Sequence, residues 1–152
     1  MIHGLDTGFL VAAEVAEHPA HVLARAKLGE LIDRGDTLAM APQIVVEFLH
    51  IVTDAKRFAS PLQMPVAIGV AEQWWTARDV VPVFPNDLAV RQHLAWMQQH
   101  FLGRKRLLDT LLAATYWQAG ISSILTTNPS DFTVFGCFQC VTPSVIAVPP
   151  GQ

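Results

Sequence analysis

Charge is scarce in this chain. Asp, Glu, Lys and Arg make up 15% of its 152 residues, and the formal balance is −3. That excludes a protein that coats nucleic acid through bulk positive charge, while leaving room for a local basic patch. Disorder is excluded as well, because 51% of the residues are apolar, enough for a core. No apolar run reaches the roughly 18 residues that a membrane span needs. Met1-Ile2-His3-Gly4-Leu5-Asp6 lacks a basic stretch leading into an apolar one, so it does not read as a signal peptide, and a cytoplasmic protein is expected.

Cysteine is nearly absent. Cys137 and Cys140 are spaced as CxxC, one pair too few for a four-ligand zinc site, and the six histidines show no spacing that would complete one. Both are read as small half-buried residues. Also missing are a G-x-S-x-G elbow, a Walker A loop and a G-x-G-x-x-G turn, so no hydrolytic triad, P-loop or dinucleotide site can be assigned.

What is present is a single domain's length of alternating strand and helix signals. Strands are expected at Ile2–Leu5, Thr37–Met40, Val80–Val83, Ser123–Thr126 and, short, Phe138–Val141. Helices are expected over Thr7–Val15, Val22–Ile32, Pro42–Val52, Val66–Thr76, Leu88–Phe101 and Leu107–Ala119, the third opened by Pro42 and the last closed by Gly120. The domain is expected to cover 1–148, with 149–152 as a loose tail. Strands separated by helices indicate βα units and a mostly parallel sheet covered on both faces, with any site beyond the carboxyl ends of the strands.

Four acids stand where such a site would form. Asp6 directly follows the first strand, where it is either a helix cap or a functional carboxylate. Glu47 falls within Ile44-Val45-Val46-Glu47-Phe48-Leu49, on a helical stripe with Ile44, Phe48 and Ile51, where a lone carboxylate needs a partner or a metal. Asp109 heads a second stripe with Leu112, Ala113 and Tyr116. Asp131, in Asn128-Pro129-Ser130-Asp131, reads by itself as the start of a helix. Together at one sheet edge, the four would repel one another unless a hard cation such as Mg²⁺ joined them. Phosphoryl chemistry uses such oxygen-ligated cations.

The segments carrying these acids resemble those of PIN domains. Asp6-Thr7-Gly8-Phe9-Leu10-Val11 is similar to the family's opening motif, Val46-Glu47-Phe48 to its second acidic position and Asp109-Thr110-Leu111-Leu112-Ala113-Ala114-Thr115 to its third. Thr126-Thr127-Asn128-Pro129-Ser130-Asp131-Phe132 resembles the closing T-x-N-x-x-D-F of VapC-type toxins. The likeness runs from residue 2 to about residue 143. It implies a three-layer α/β/α fold, Mg²⁺ or Mn²⁺ dependence, endonuclease activity on RNA, dimerisation and inhibition by a VapB-type antitoxin. The metal and catalytic residues it implies are Asp6, Glu47, Asp109 and Asp131. One departure is Thr127, where many relatives carry Arg.

Substrate contacts are expected from Thr7, Arg104, Lys105, Arg106, Thr126 and Asn128, the basic run lying just ahead of the helix that bears Asp109. Lys56 and Arg57 are weaker candidates. Trp74, Trp75, Trp96 and Trp117 are read as core or dimer contacts, and His3 as structural. Two other functions compete with the toxin: a housekeeping RNA-processing nuclease of the same fold, and a non-catalytic receiver-like signalling domain. The latter would need a phosphoacceptor after its central strand, where this chain offers only the offset Asp87.

Overall fold

The computed structural model describes residues 1–144. The expected tail at 149–152, and the end of the domain at 148, lie outside the described residues.

Short apolar strands alternate with longer helices throughout. In order, the elements are β1 (Ile2–Leu5), α1 (Thr7–Glu14), α2 (His21–Asp33), β2 (Thr37–Met40), α3 (Pro42–Val52), α4 (Met64–Trp75), β3 (Val80–Pro82), α5 (Asp87–Gln99), a 3₁₀ turn (Arg104–Arg106), α6 (Leu107–Gln118), β4 (Ser123–Leu125), α7 (Ser130–Thr133) and β5 (Gln139–Val141). The five strands form one sheet in the order β3-β2-β1-β4-β5, and every pairing is parallel. The architecture is a three-layer α/β/α sandwich.

The strand sequences follow from their places. β1, β2 and β4 are buried almost throughout, as interior parallel strands must be when helices cover both faces. β3 and β5, at the edges, are more exposed. Helices pack neighbour to neighbour, α1 with α2 and α3, α3 with α4, and α5 with α6. α1, α3 and α6 place Phe9, Leu10, Ile44, Phe48, Leu112 and Tyr116 in the core with no exposed surface or almost none.

Tyr116 fixes α6 against the sheet. Its hydroxyl lies 2.6 Å from the Leu5 carbonyl and 3.1 Å from that of Ala39, at the ends of β1 and β2. The ring covers Gly4 so closely that a Cβ there would fall 2.5 Å from it. Glycine is required at this position by close approach. Seven residues before Tyr116, two turns earlier on α6, stands Asp109.

The chain runs from β1 outward through β2 to β3, then returns across the sheet to β4 on the other side of β1. Connections therefore leave β1 and β4 in opposite directions, which opens a crevice at their carboxyl ends. The strand order excludes the receiver-like alternative, whose sheet runs 2-1-3-4-5. Asp87 is an exposed first-turn acid of α5 paired with Arg91 at 2.7 Å, far from any central strand.

Element ends fall within two residues of expectation. α5 stops at Gln99 rather than Phe101, because Phe101 turns to a φ of 53°. A short helix, α7, forms at Ser130–Thr133 with Asp131 in its first turn, as the helix start read at Asn128-Pro129-Ser130-Asp131 suggests.

Candidate active site

Asp6 occupies the cap position of α1, yet its carboxylate does not cap the helix. It turns instead toward β4. The Thr126 hydroxyl donates to Asp6 Oδ2 at 2.7 Å, and the Asp6 backbone N–H donates to the Leu125 carbonyl at 3.0 Å. The parallel register of Leu5 beside Leu125 puts the two following residues side by side. Burial pushes the Asp6 pKa up to about 6; the Thr126 hydrogen bond opposes that rise, and the charges of Glu47 and Asp131 add to it.

Glu47 comes from α3, one layer away from the strand ends. The Thr7 hydroxyl donates to Oε2 at 2.8 Å, and Gln43, one turn earlier on α3, donates to Oε1 at 3.2 Å. The Gln43 amide also lies 3.0 Å from the Leu108 carbonyl, which ties α3 to the start of α6. Glu47 is half-buried, at the margin of the stripe formed by Ile44, Phe48 and Val52 rather than within it. The desolvation expected from sequence is correspondingly reduced.

Asp109 enters on the first turn of α6, half-buried. Its pKa is pushed up to about 7, first by burial and then by repulsion from Asp131, Asp6 and Glu47, with Arg106 opposing. Asp131 is held on α7 by the Asn128 amide at 2.9 Å and lies 3.7 Å from the Arg106 guanidinium, which also donates to its backbone carbonyl.

Acids from four separate segments thus share one edge of the sheet closely enough for their charges to add to the upward shifts of Asp6 and Asp109. Among the described residues, no three His, Cys, Asp or Glu side chains already stand in the arrangement of a metal cage. The donor set nonetheless suits a hard cation. All four offer carboxylate oxygens, and the upward shifts of Asp6 and Asp109 come first from burial and then from the neighbouring carboxylates.

The residues expected to touch substrate divide into two groups. Thr126 is fully buried and Thr7 nearly so, and their hydroxyls serve Asp6 and Glu47. Both hydroxyls are thus already engaged by carboxylates. Arg106 is half-buried against Asp131, whereas Arg104, Lys105 and Asn128 are exposed. Sequence reading missed Gln43, although its i, i+4 spacing from Glu47 marks it as a helical neighbour. It also missed the contact between Gly8 and Thr127, where a Cβ on Gly8 would lie 2.6 Å from the Thr127 hydroxyl.

Other readings are met directly. His3 is buried, its Nδ1 2.7 Å from the Ser123 hydroxyl and its Nε2 3.2 Å from Asp36. Trp96 is buried and stacked on Phe135 at 4.4 Å. Cys137 and Cys140 are half-buried free thiols, and only Cys140 lies on a strand.

No family model matches the chain. Over 137 residues it is 29% identical to ribonuclease VapC24 of Mycobacterium tuberculosis, covering 87% of this chain and 90% of that protein. Among solved structures it is similar to VapC20 of Mycobacterium tuberculosis, a toxin described as cleaving the sarcin-ricin loop. The TM-score is 0.68 at 17% identity, over 90% of this chain and 96% of that one. It is also similar to VapBC2 from Rickettsia felis bound to a promoter DNA fragment, with a TM-score of 0.66 at 15% identity, over 93% and 98%. A third is VapBC-1 from nontypeable Haemophilus influenzae, with a TM-score of 0.64 at 16% identity, over 94% and 98%.

Proposed function

We propose that this chain, a PIN-domain protein of the VapC type, is a metal-dependent endoribonuclease and the toxin of a VapBC-type toxin–antitoxin pair. The observation that supports this reading is that Asp6, Glu47 and Asp131 all add by charge to the upward shift of Asp109, near the carboxyl ends of β1 and β4. Four separate segments contribute one acid each, and buried hydroxyls orient two of them.

Asp6, Glu47, Asp109 and Asp131 would hold Mg²⁺ or Mn²⁺. When bound, the cation supplies neutralisation of charge on the scissile phosphate and acidification of an attacking water. The chain's own residues do the rest. Thr126 and Thr7 hold Asp6 and Glu47 in single orientations, as outer hydrogen bonds do for metal-binding carboxylates. Gln43 keeps α3 in register with the first turn of α6, and so Glu47 with Asp109. Arg106 and Asn128 fix the Asp131 loop. Arg104 and Lys105, exposed immediately before α6, attract the phosphate backbone without reading sequence.

The partners that follow are RNA as substrate, a VapB-type antitoxin, and a second copy of the chain. No helix of the described residues is long and apolar enough to cross a membrane.

The test is cleavage of single-stranded RNA by purified wild type and by Asp6→Asn, with Mg²⁺ or Mn²⁺. Wild type is expected to cut, and Asp6→Asn to be slower by orders of magnitude at unchanged melting temperature. Equal rates would remove Asp6 from the site.

A further inference from the structure

At Gly8, a cavity of about 280 Å³ opens between α1, α3 and the loop that follows α3. Gly8 and Val11 of α1 and Ile51 of α3 line it, as do His18 from the α1–α2 connection and Arg57 and Phe58 from the loop. It continues directly from the acidic edge. A Cβ on Gly8 would lie 3.9 Å from Asp6 Oδ2, and Ile51 stands one helical turn after Glu47 on α3. Its size is near the lower end of the roughly 300–1,000 Å³ typical of ligand pockets.

The wall that carries Arg57 and Phe58 is pre-built. The Arg57 and Phe58 backbone N–H groups donate to the Asp54 carbonyl, and the Lys56 N–H donates to the Asp54 carboxylate at 2.8 Å. Glu17 accepts the Ala59 and Ser60 N–H groups at 2.7 and 3.1 Å, and the Leu62 N–H closes on Val52. The Phe58 ring is half-buried against the core. Arg57 is more than half exposed and touches Asp54 through Nε at 3.5 Å, the sole ion pair recorded for it among the described residues. His18 accepts the Ala20 N–H at Nδ1. With Nδ1 accepting, Nε2 carries the ring's proton and is left as a donor; burial, and then the neighbouring His21, lower the His18 pKa.

We propose that this cavity receives one nucleobase of single-stranded RNA, the base flanking the phosphate placed at the acidic edge. The proposal rests on the ribonuclease reading and adds a specificity pocket to it. Phe58 offers an aromatic face, Val11 and Ile51 offer apolar walls, His18 offers one donor for a base edge, and Arg57 stands at the rim for the adjoining phosphate. That combination suits an unstacked base on a charged backbone. It also suits one base only. A second cavity meets Phe58 and is lined by Glu14 and Glu17, whose carboxylates repel a continuing phosphate chain. Gly8 lines the cavity and lies beside Thr127 and Asp6, where a Cβ would meet the Thr127 hydroxyl at 2.6 Å.

The experiment uses the full chain and a short RNA whose cleavage position has been mapped, with copies in which each nucleotide flanking the cut is made abasic in turn. Stacking of one base corresponds to a change of about 5- to 100-fold. For wild type, one of the abasic positions should raise KM by that factor with kcat within about twofold. Phe58→Leu, which keeps apolar bulk, should raise KM similarly on intact RNA and add nothing on the abasic copy. If Phe58→Leu melts early, Phe58→Met carries the same test, whereas Arg57→Gln, which withdraws only a phosphate contact, should raise KM alike on intact and abasic RNA. Independent, multiplying effects of the Phe58 variant and the abasic site would overturn the proposal. So would an unchanged KM, or loss of antitoxin binding in these variants with RNA kinetics intact. Should wild type cut no RNA, the ribonuclease reading fails, and the cavity is judged by binding of a fluorescent RNA hexamer: equal affinity for wild type and Arg57→Gln overturns it.

Discussion

The hydroxyl of Thr126 is the smallest group on which the acidic edge depends. It is fully buried, donates to Asp6 at 2.7 Å and accepts the Asn128 N–H at 3.0 Å. Thr126→Val keeps the shape and removes both bonds, so Asp6 loses the interaction that favours its ionised form. Activity should fall about 10- to 100-fold, and the acid limb of the pH–rate profile should move upward. Alanine-like loss of activity with an unmoved profile would mean that Thr126 only packs. Asp109 gives a second prediction. In the unfolded chain an aspartate ionises near ~3.9, whereas in the folded protein Asp109 ionises near about 7 and Asp6 near about 6. Between those values the folded state holds protons that the unfolded state has lost. These groups' contribution to stability is therefore complete below about pH 4 and is lost as pH rises through 6 and 7. Metal-free protein should lose stability from pH 5 to pH 8, by on the order of 1 kcal/mol for the half-buried Asp109 after allowance for solvent screening. Asp109→Asn should flatten that decline, and millimolar Mg²⁺ should reverse it for wild type by mass action. Denaturant titrations at the two pH values measure both, and a wild-type stability that rises toward pH 8 without metal would contradict the assignment.

At the level of elements, one ring anchors α6 to the sheet. Tyr116 reaches the carbonyls of Leu5 and Ala39 while covering Gly4, so it sets the height of α6 above the strand ends and, two turns away, of Asp109. Gly4→Ala forces a Cβ to within 2.5 Å of the ring. Overpacking of this kind costs about 1–3 kcal/mol. The expected outcome is a lower melting temperature together with reduced RNA cleavage, and an unchanged melting temperature would show that the ring yields freely. The strands and helices were legible because period and punctuation agree. Pro42 opens α3 as its residue type suggests, and Gly120, at a φ of 77°, follows α6. α7 was legible only by its start, through Asn128, Pro129 and Asp131, since four residues leave no room for a repeating apolar face. Asp6 was ambiguous for a related reason. Position alone suits a cap, and only the neighbouring strand, 120 residues away, shows which group its carboxylate meets. Glu47 was legible as an oddity on an apolar stripe, but its place at the stripe's margin depends on how α3 is rotated against the sheet.

For the whole molecule, the sheet order decides where chemistry can occur, and the apolar surface decides what the chain meets. The groove between α3 and α4 has a volume of about 580 Å³ and is lined by Val45, Leu49, Ala71 and Trp75. Val46 and Ile68 at its margin are 66% and 48% exposed. Contiguous apolar surface of this kind marks an interaction face, and a second copy of the chain is the occupant expected here. Light scattering at high micromolar concentration should give a dimer for wild type and a monomer for Ile68→Glu, and a wild-type monomer would contradict the expectation. The central claim, that four acids meet at the β1–β4 crevice to cut RNA through a divalent cation, is tested most directly by the ends of the products. Single-stranded RNA is incubated with wild type, Asp6→Asn and Asp109→Asn, with Mg²⁺, with Mn²⁺ and with chelator, and the new termini are identified. Hydrolysis assisted by a cation leaves a 5′-phosphate and a 3′-hydroxyl, whereas acid–base catalysis by histidine on the 2′-hydroxyl leaves a cyclic phosphate. The prediction is 5′-phosphate ends from wild type with metal only, and rates lower by orders of magnitude in both variants. Cyclic phosphate ends, cleavage that persists in chelator, or full activity in both variants would contradict it.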